Sequence, residues 1–160
     1  MKIKDLLRNS PHKVTFSCEI FPPKKETSFK GIFETVDAIQ ALGVDFISVT
    51  YGAGGNIANN DTCDIAANIK KKFGVEPLAH LTCVNSTMAD VTEMIKRFAA
   101  ADIENVLALR GDIVPGEQIE KEFFHANELA IEVQRNSGLQ ILGACYPEGH
   151  SESKNLREDI

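Results

Sequence analysis

The sequence has no surplus of basic residues, since 17 Lys and Arg stand against 23 Asp and Glu and the formal net charge is −6. Proteins that bind nucleic acids usually present a basic surface, so this balance argues against a nucleic-acid partner. The sequence also lacks any apolar run near the roughly 20 residues that span a bilayer. Residues 1–8 mix acids and bases too early for a signal peptide. We therefore expect a cytoplasmic protein without a membrane segment.

No two of the four cysteines form a Cys-x-x-Cys pair, the spacing typical of zinc sites and redox-active thiols. Three of the four lie in apolar, strand-like surroundings. This favours buried, reduced thiols in a cytosolic protein over disulfides or a bound metal. The four are Cys18, Cys63, Cys83 and Cys145.

No low-complexity segment or linker interrupts the 160 residues, which we interpret as a single domain over 1–160. Short apolar runs that suit strands alternate with stretches of helical period. The alternation predicts a parallel sheet with right-handed crossovers, an α/β fold. The predicted strands cover 14–21, 44–51, 77–83, 106–109 and 139–146. The predicted helices cover about 61–73 and 120–136, together with 29–42, 87–101 and 153–160.

The stretch 106–112 reads Val-Leu-Ala-Leu-Arg-Gly-Asp, and the other candidate residues are best understood around it. Four apolar residues suit a strand buried on both faces. Arg110 and Asp112 follow at its carboxyl end, where ligands bind in parallel α/β sheets. The alternative is a simple turn, in which Gly111 supplies backbone freedom and Asp112 bonds local amides.

Alternation in the first predicted strand places Glu19 on the face opposite Val14, Cys18 and Ile20. If that face is the interior of the sheet, the Glu19 carboxyl group is shielded from water and can hold a proton as an acid. The alternative is an edge strand with a solvated glutamate. His80 points to the same interior if its neighbours face helices, although a lone strand histidine is more often a hydrogen-bonded core residue than a catalyst.

Polar residues collect at or near the carboxyl ends of the five predicted strands. In a closed parallel barrel that end is the active-site face, so a functional site is the better interpretation. A glycine-rich turn over 52–56 could approach a phosphate, but it lacks the dinucleotide-binding spacing. The residues at the strand ends are Glu19, Thr50, His80, Arg110, Asp112, Tyr146 and His150.

Five segments at these strand ends resemble methylenetetrahydrofolate reductase. The resemblance implies an FAD-dependent (β/α)8 TIM barrel, of which this chain holds only about five βα units. It implies reduction of 5,10-methylenetetrahydrofolate to 5-methyltetrahydrofolate, with electrons from NADH or NADPH or through a redox partner protein. The segments are Phe16-Ser-Cys-Glu-Ile-Phe-Pro-Pro23, Ser48-Val-Thr-Tyr-Gly-Ala53, Ala79-His-Leu-Thr-Cys83, Ala108-Leu-Arg-Gly-Asp112 and Ala144-Cys-Tyr-Pro-Glu-Gly-His150.

The same resemblance assigns roles to individual residues. Glu19 matches the general acid that protonates N10 of the folate and helps to open its five-membered ring. Asp112 matches the aspartate beside the flavin and the pterin, where its charge tunes the cofactor. Ser153 falls where the family commonly has alanine. The residues that match FAD-contacting positions are Thr50, Tyr51, Ala53, His80, Arg110, Gly111, Asp112, Ala126, Tyr146, His150 and Asp159.

The chain is shorter than the fold implied by the resemblance, because a complete (β/α)8 barrel typically needs about 250 residues and this sequence has 160. Five strands would leave the edges of the first and fifth strands free. We therefore expect an N-terminal portion of a barrel, completed by further chain or by a homo-oligomer, with activity belonging to the complete barrel. Two alternatives stay open. One is a non-catalytic half-barrel that binds flavin or a partner; the other is a barrel enzyme that acts on a pterin through a metal held by residues such as Glu19, His80 and His150.

Overall fold

The structure is a computed structural model that describes residues 1–9, 14–23, 29–51, 61–84, 86–112, 122–150 and 153–159. Helices and strands alternate along these segments. The strands are β1 (Ser17–Ile20), β2 (Phe46–Val49), β3 (Glu76–Thr82), β4 (Asn105–Leu109) and β5 (Gln140–Gly143). The helices are α1 (Ile3–Asn9), α2 (Phe29–Gln40), α3 (Thr62–Asn68, continued by a π-helical turn over Ile69–Phe73), α4 (Met88–Ala100), α5 (Ala126–Asn136) and α6 (Leu156–Asp159).

The five strands form one parallel sheet whose spatial order, β1-β2-β3-β4-β5, equals their order along the chain. A doubly wound sheet would reverse its strand order at a switch point, whereas a barrel adds each strand beside the previous one. The predicted α/β fold is therefore confirmed, and the arrangement is that of a partial (β/α)8 barrel.

Alternate strand residues pack against the helices and form the core. The buried strand residues are Ile20, Ile47, Val49, Ala79, Leu81, Val106 and Ala108. The helices contribute Ile65, Val91, Met94, Phe98 and Leu129 to the same core. Because side chains alternate along a strand, the residues between these point to the other face, and Glu19, Ser48 and His80 are among them.

The short helix α1 lies at the amino ends of the strands. The fully buried Asn105, the first residue of β4, accepts a hydrogen bond from the Ile3 amide (2.8 Å) and donates to the Met1 carbonyl (3.0 Å). Its amide nitrogen also donates to Glu76 Oε1 (2.9 Å) at the start of β3. Lys70 completes the cluster, with its Nζ 3.4 Å from the same Glu76 oxygen. This end of the sheet is therefore closed by structural contacts.

Several predicted bounds are wrong in detail. β1, β2 and β5 are shorter than predicted, whereas β3 is shifted by one residue and β4 is one residue longer. The α5 helix begins at Ala126 rather than near 120, since residues 122–125 are not helical. The Glu128 carboxylate there accepts hydrogen bonds from the amides of Phe124 (2.6 Å) and His125 (3.2 Å) and fixes the start of the helix. The final helix, α6, covers Leu156–Asp159 rather than 153–160.

A side chain caps the start of α4, and the prediction of buried, reduced thiols is confirmed in part. The Thr87 hydroxyl accepts from the Asp90 amide (3.2 Å) in a reciprocal capping box, whereas Asp61 makes no side-chain cap at α3. All four cysteines are free thiols, but Cys145 is exposed rather than buried because it follows the last strand of the described sheet. No helix in the described part of the chain combines the length and the apolar character needed to cross a bilayer.

Candidate active site

The carboxyl edge of the sheet gathers most of the predicted site residues. Thr50 follows β2 directly, and its amide donates to the Ile20 carbonyl at the end of β1 (3.0 Å). Its own carbonyl accepts from the buried Thr62 hydroxyl (2.8 Å), which ties this strand end to α3. Tyr51 packs partly buried against the core. These contacts hold the ends of β1 and β2 side by side.

Glu19, Ser48 and His80 form a connected group across three neighbouring strands. Ser48 pairs with Glu19 in the register of β1 and β2, and its hydroxyl donates to Glu19 Oε2 (3.2 Å). His80 Nε2 lies 3.4 Å from the same oxygen. The predicted meeting of Glu19 and His80 on one face is therefore confirmed.

Glu19 is not shielded as the alternation predicted, because 47% of its side chain is exposed. β1 is an outer strand of the described sheet, so on one side no described strand covers the carboxylate. The exposure of Glu19 therefore matches the alternative prediction, a glutamate on an edge strand. Its carboxylate is nevertheless held by the Ser48 hydrogen bond and lies beside His80.

His80 is buried, and its Nε2 makes no hydrogen bond to any residue that the structure describes. Burial lowers the pKa of His80 because the charged imidazolium loses water, and the nearby Glu19 carboxylate opposes this by raising it. The net direction is downward from the ordinary value of 6.5, so the ring is neutral at pH 7. A neutral ring accommodates a carboxyl group, or a ligand, without adding a buried charge.

The Arg110-Gly111-Asp112 segment turns sharply after β4. Gly111 has φ +86°, and a Cβ at this position would lie 3.1 Å from both Thr82 Cβ and Val84 Cγ1. The backbone freedom that the turn interpretation assigned to Gly111 is confirmed, and the close contacts add a second reason for glycine that the sequence did not predict. The turn is held by the Val84 amide, which donates to the Arg110 carbonyl (2.8 Å).

A cavity of about 660 Å³ opens beside this turn, between the ends of β4 and β5 and the start of α5. Four of its lining residues were predicted to contact FAD: Arg110, Ala126, Tyr146 and His150. The rings of Tyr146 and His150 meet edge to face, with centroids 4.9 Å apart. The structure therefore brings these four residues, which come from separate segments of the chain, to one cavity.

Other lining residues were not predicted as site residues. His125 and Asn127 flank Ala126 at the start of α5, and Glu158 comes from α6. Ser153, which departs from the family pattern, also lines the cavity. The sequence could have indicated His125 and Asn127 because they are adjacent to Ala126. No sequence pattern distinguished Glu158 from its neighbour Asp159.

Asp112 and two further predicted residues are less closely defined. Asp112 is exposed after β4, three strands away from Glu19 on β1. Strands in a sheet are about 4.8 Å apart, so a ligand in contact with both must span roughly 14 Å of sheet. Ala53 lies outside the described residues; Asp159 ends α6, but its side chain lies outside them. The catalytic and cofactor roles of all these residues remain predictions.

Thiol and metal chemistry receive no support from the described residues. Burial raises the pKa of the Cys83 thiol to about 11, so this thiol stays protonated at pH 7. No three His, Cys, Asp or Glu side chains come together as a metal-binding group within the ranges that the structure describes.

A chain-ordered parallel sheet, with helices on one face and polar residues along its carboxyl edge, places the chain in the α/β-barrel class of folds. The family model for methylenetetrahydrofolate reductase matches residues 2–160. The chain therefore belongs to the methylenetetrahydrofolate reductase family.

Individual relatives agree with this assignment. The chain is 36% identical over 154 residues to 5,10-methylenetetrahydrofolate reductase of Buchnera aphidicola subsp. Baizongia pistaciae, covering 96% of this chain and 52% of the relative. It is 32% identical over 149 residues to the protein of that name from Escherichia coli K12, covering 92% and 49%. It is 34% identical over 158 residues to methylenetetrahydrofolate reductase (NADH) 1 of Arabidopsis thaliana, covering 94% and 26%. The chain thus spans about half the length of its bacterial relatives.

Proposed function

We propose that the chain is the N-terminal, FAD-binding portion of a barrel that reduces 5,10-methylenetetrahydrofolate to 5-methyltetrahydrofolate. The observation that carries the proposal is the cavity at the carboxyl edge. Its lining includes Arg110, Ala126, Tyr146 and His150, which match FAD-contacting positions through the resemblance of the sequence to the family.

The residues around the cavity fit the chemistry of FAD. The Arg110 guanidinium is a fixed positive charge on the lining, and Ala126 begins an eleven-residue helix whose amino end favours an anion such as a pyrophosphate. Tyr146 and His150 offer ring surfaces for a planar group. When bound and reduced, FAD supplies the hydride.

Glu19 is the residue that would move the proton. As a carboxylic acid, it would give its proton to N10 of the folate while the bond from N10 to the one-carbon unit breaks. The folate is left as the N5 iminium ion, the form that accepts hydride. The exposure of Glu19 toward the open face lets a substrate approach the carboxyl group. Asp112 would hydrogen-bond the folate ring and place negative charge near the flavin.

We propose that electrons come from NADH or NADPH, or through a redox partner protein. The name of the Arabidopsis thaliana relative specifies NADH, which supports a nicotinamide donor. Completion of the barrel by further chain or by a homo-oligomer is supported by two features. The chain spans half the length of its bacterial relatives, and β1 and β5 each have one neighbour in the described sheet. We place the activity in the cytoplasm.

The test is Glu19→Gln in FAD-loaded protein. We expect the variant to bind FAD and to accept electrons from NADH at the rate of the parent protein, because Glu19 acts on the folate. Oxidation of the reduced flavin by 5,10-methylenetetrahydrofolate should fall at least about 100-fold, the usual contribution of a general acid. Anaerobic stopped-flow absorbance separates these two half-reactions.

The matched control is Glu93→Gln, which removes an exposed carboxylate on α4. Both half-reactions should keep the parent rate in this variant. Folate-dependent oxidation that survives Glu19→Gln would remove Glu19 from its role. A parent protein that binds FAD but is never oxidised by the folate would support the second candidate, a non-catalytic flavin-binding half-barrel, which the half-length of the chain favours.

A further inference from the structure

We propose that Ser48 is a positioning residue for the reaction: it holds one carboxyl oxygen of Glu19, Oε2, beside His80, so that the other oxygen, Oε1, faces the substrate. The inference rests on the proposed role of Glu19 as the acid. Neither the motifs nor the resemblance assigned a role to Ser48.

The strand register makes Ser48 a rigid anchor. Ser48 lies directly opposite Glu19 on β2, and its backbone is flanked by β1 on one side and by β3 on the other. The residue is buried, and its hydroxyl donates to Glu19 Oε2 (3.2 Å). The half-exposed Glu19 side chain would otherwise distribute among rotamers, so this hydrogen bond selects one of them.

His80 defines where the held oxygen lies. Its Nε2 is 3.4 Å from Glu19 Oε2, the same atom that Ser48 contacts. Since the buried ring is neutral at pH 7, it does not attract the carboxylate as a full charge. The hydrogen bond that fixes Glu19 Oε2 within the described residues therefore comes from Ser48.

Holding one oxygen has a direct chemical consequence. A general acid must bring its proton within hydrogen-bonding distance of the atom that receives it. Because Oε2 accepts the Ser48 hydrogen bond and lies beside His80, proton delivery falls to Oε1 in a defined direction. Loss of the Ser48 hydroxyl would keep the acid but scatter its orientation, which lowers the rate at saturating folate without affecting flavin reduction.

The pKa of His80 provides a measure of the Glu19 position that is independent of activity. Glu19 is the charged group that acts on His80 among the described residues, and it raises the His80 pKa. In an NMR titration of the 160-residue chain, Glu19→Gln should therefore lower the His80 pKa further. Ser48→Ala should lower it as well, because the released carboxylate leaves Nε2. Ser48→Thr, which keeps the hydroxyl, should hold the parent value.

The double variant Glu19→Gln/Ser48→Ala completes a double-mutant cycle with the two single variants. It should give the same His80 pKa as Glu19→Gln alone, since Ser48 acts through Glu19. An equal drop on removal of Ser48 in the presence and in the absence of Glu19 would overturn the proposal. The proposal would also be overturned if either Glu19→Gln or Ser48→Ala left the His80 pKa unchanged. If Ser48→Ala fails to fold, Ser48→Cys keeps the shape of the side chain but replaces the hydroxyl with a weaker donor, and it should lower the His80 pKa in the same direction.

The kinetic test uses FAD-loaded protein. Ser48→Ala should slow the oxidation of reduced flavin by saturating 5,10-methylenetetrahydrofolate about tenfold, part of the effect of a general acid. It should leave KM for the folate and reduction by NADH unchanged, and Ser48→Thr should restore the rate. An unchanged folate half-reaction in Ser48→Ala would overturn the role. If the parent protein shows no folate half-reaction even as part of a complete barrel, the proposed function fails, while the His80 titration still decides whether Ser48 holds Glu19.

Discussion

Gly111 shows how a single residue shapes the candidate site. It combines a left-handed backbone with close side-chain neighbours, Thr82 and Val84, and both features follow from the sharp turn after β4. This turn carries Arg110 to the cavity lining and leaves Asp112 exposed beyond the strand. The residue is therefore needed for the geometry of its two charged neighbours.

We predict that Gly111→Ala lowers the free energy of unfolding by about 3 kcal/mol, because left-handed strain and side-chain crowding add together. Gly43→Ala is the matched control, since Gly43 also has a positive φ (+77°) but open space where the Cβ would lie. It should lose only about 1 kcal/mol. Urea denaturation followed by circular dichroism measures both, and equal losses would show that crowding at Gly111 is unimportant.

At this scale the sequence predicted which face a residue occupies, but not how exposed it is. Strand alternation placed Glu19 and His80 together because a period of two is a property of any strand. Ser48 alternates with core residues in the same way, so it lies on the same face as Glu19 and His80. Pairing β1 with β2 as parallel strands could therefore have predicted that Ser48 lies beside Glu19. The exposure of Glu19 depends on what lies beyond β1, which no local pattern contains.

Among the helices, α1 depends for its stability on contacts with the rest of the fold, because it is short. Seven residues are too few for a stable isolated helix in water. Asn105 supplies the attachment through its bonds to the backbone of Ile3 and Met1 and to Glu76. The sequence did not reveal this role, because an asparagine at the start of an apolar strand resembles an ordinary strand boundary.

We predict that Asn105→Ala lowers the free energy of unfolding by about 3 kcal/mol, because it leaves buried polar groups without partners. Amides in α1 should lose protection in hydrogen exchange before the rest of the fold does. Asn136→Ala, at the exposed end of α5, is the control and should change stability by less than about 0.5 kcal/mol. Unchanged exchange of α1 in Asn105→Ala would mean that other contacts attach the helix.

The elements were predicted well where periodicity is strong and poorly where an end is set by a distant side chain. The α4 helix agrees closely because Thr87 and its capping box are local signals. The predicted start of α5 was wrong because the Glu128 carboxylate, which lies in the first turn of the observed helix, accepts hydrogen bonds from the preceding amides of Phe124 and His125.

At the scale of the molecule, the strands that the structure describes form an open sheet whose outer strands are β1 and β5. β1 and β5 each present one edge that is not paired with any strand the structure describes. Phe21, directly after β1, is 69% exposed. Free strand edges beside exposed apolar side chains favour association with another chain.

We predict that the 160-residue chain self-associates in sedimentation velocity, and that Phe21→Lys shifts it toward the monomer by placing a charge beside the β1 edge. Leu7→Lys is the matched control, because Leu7 is also an exposed apolar residue but lies on α1, at the amino ends of the strands. Its mass distribution should equal that of the parent. A monomeric parent would show that the edges do not associate. Dissociation by Leu7→Lys alone would move the interface to the base of the sheet. Because the edge that joins copies would be the edge that further strands occupy in a complete barrel, addition of those strands should abolish self-association.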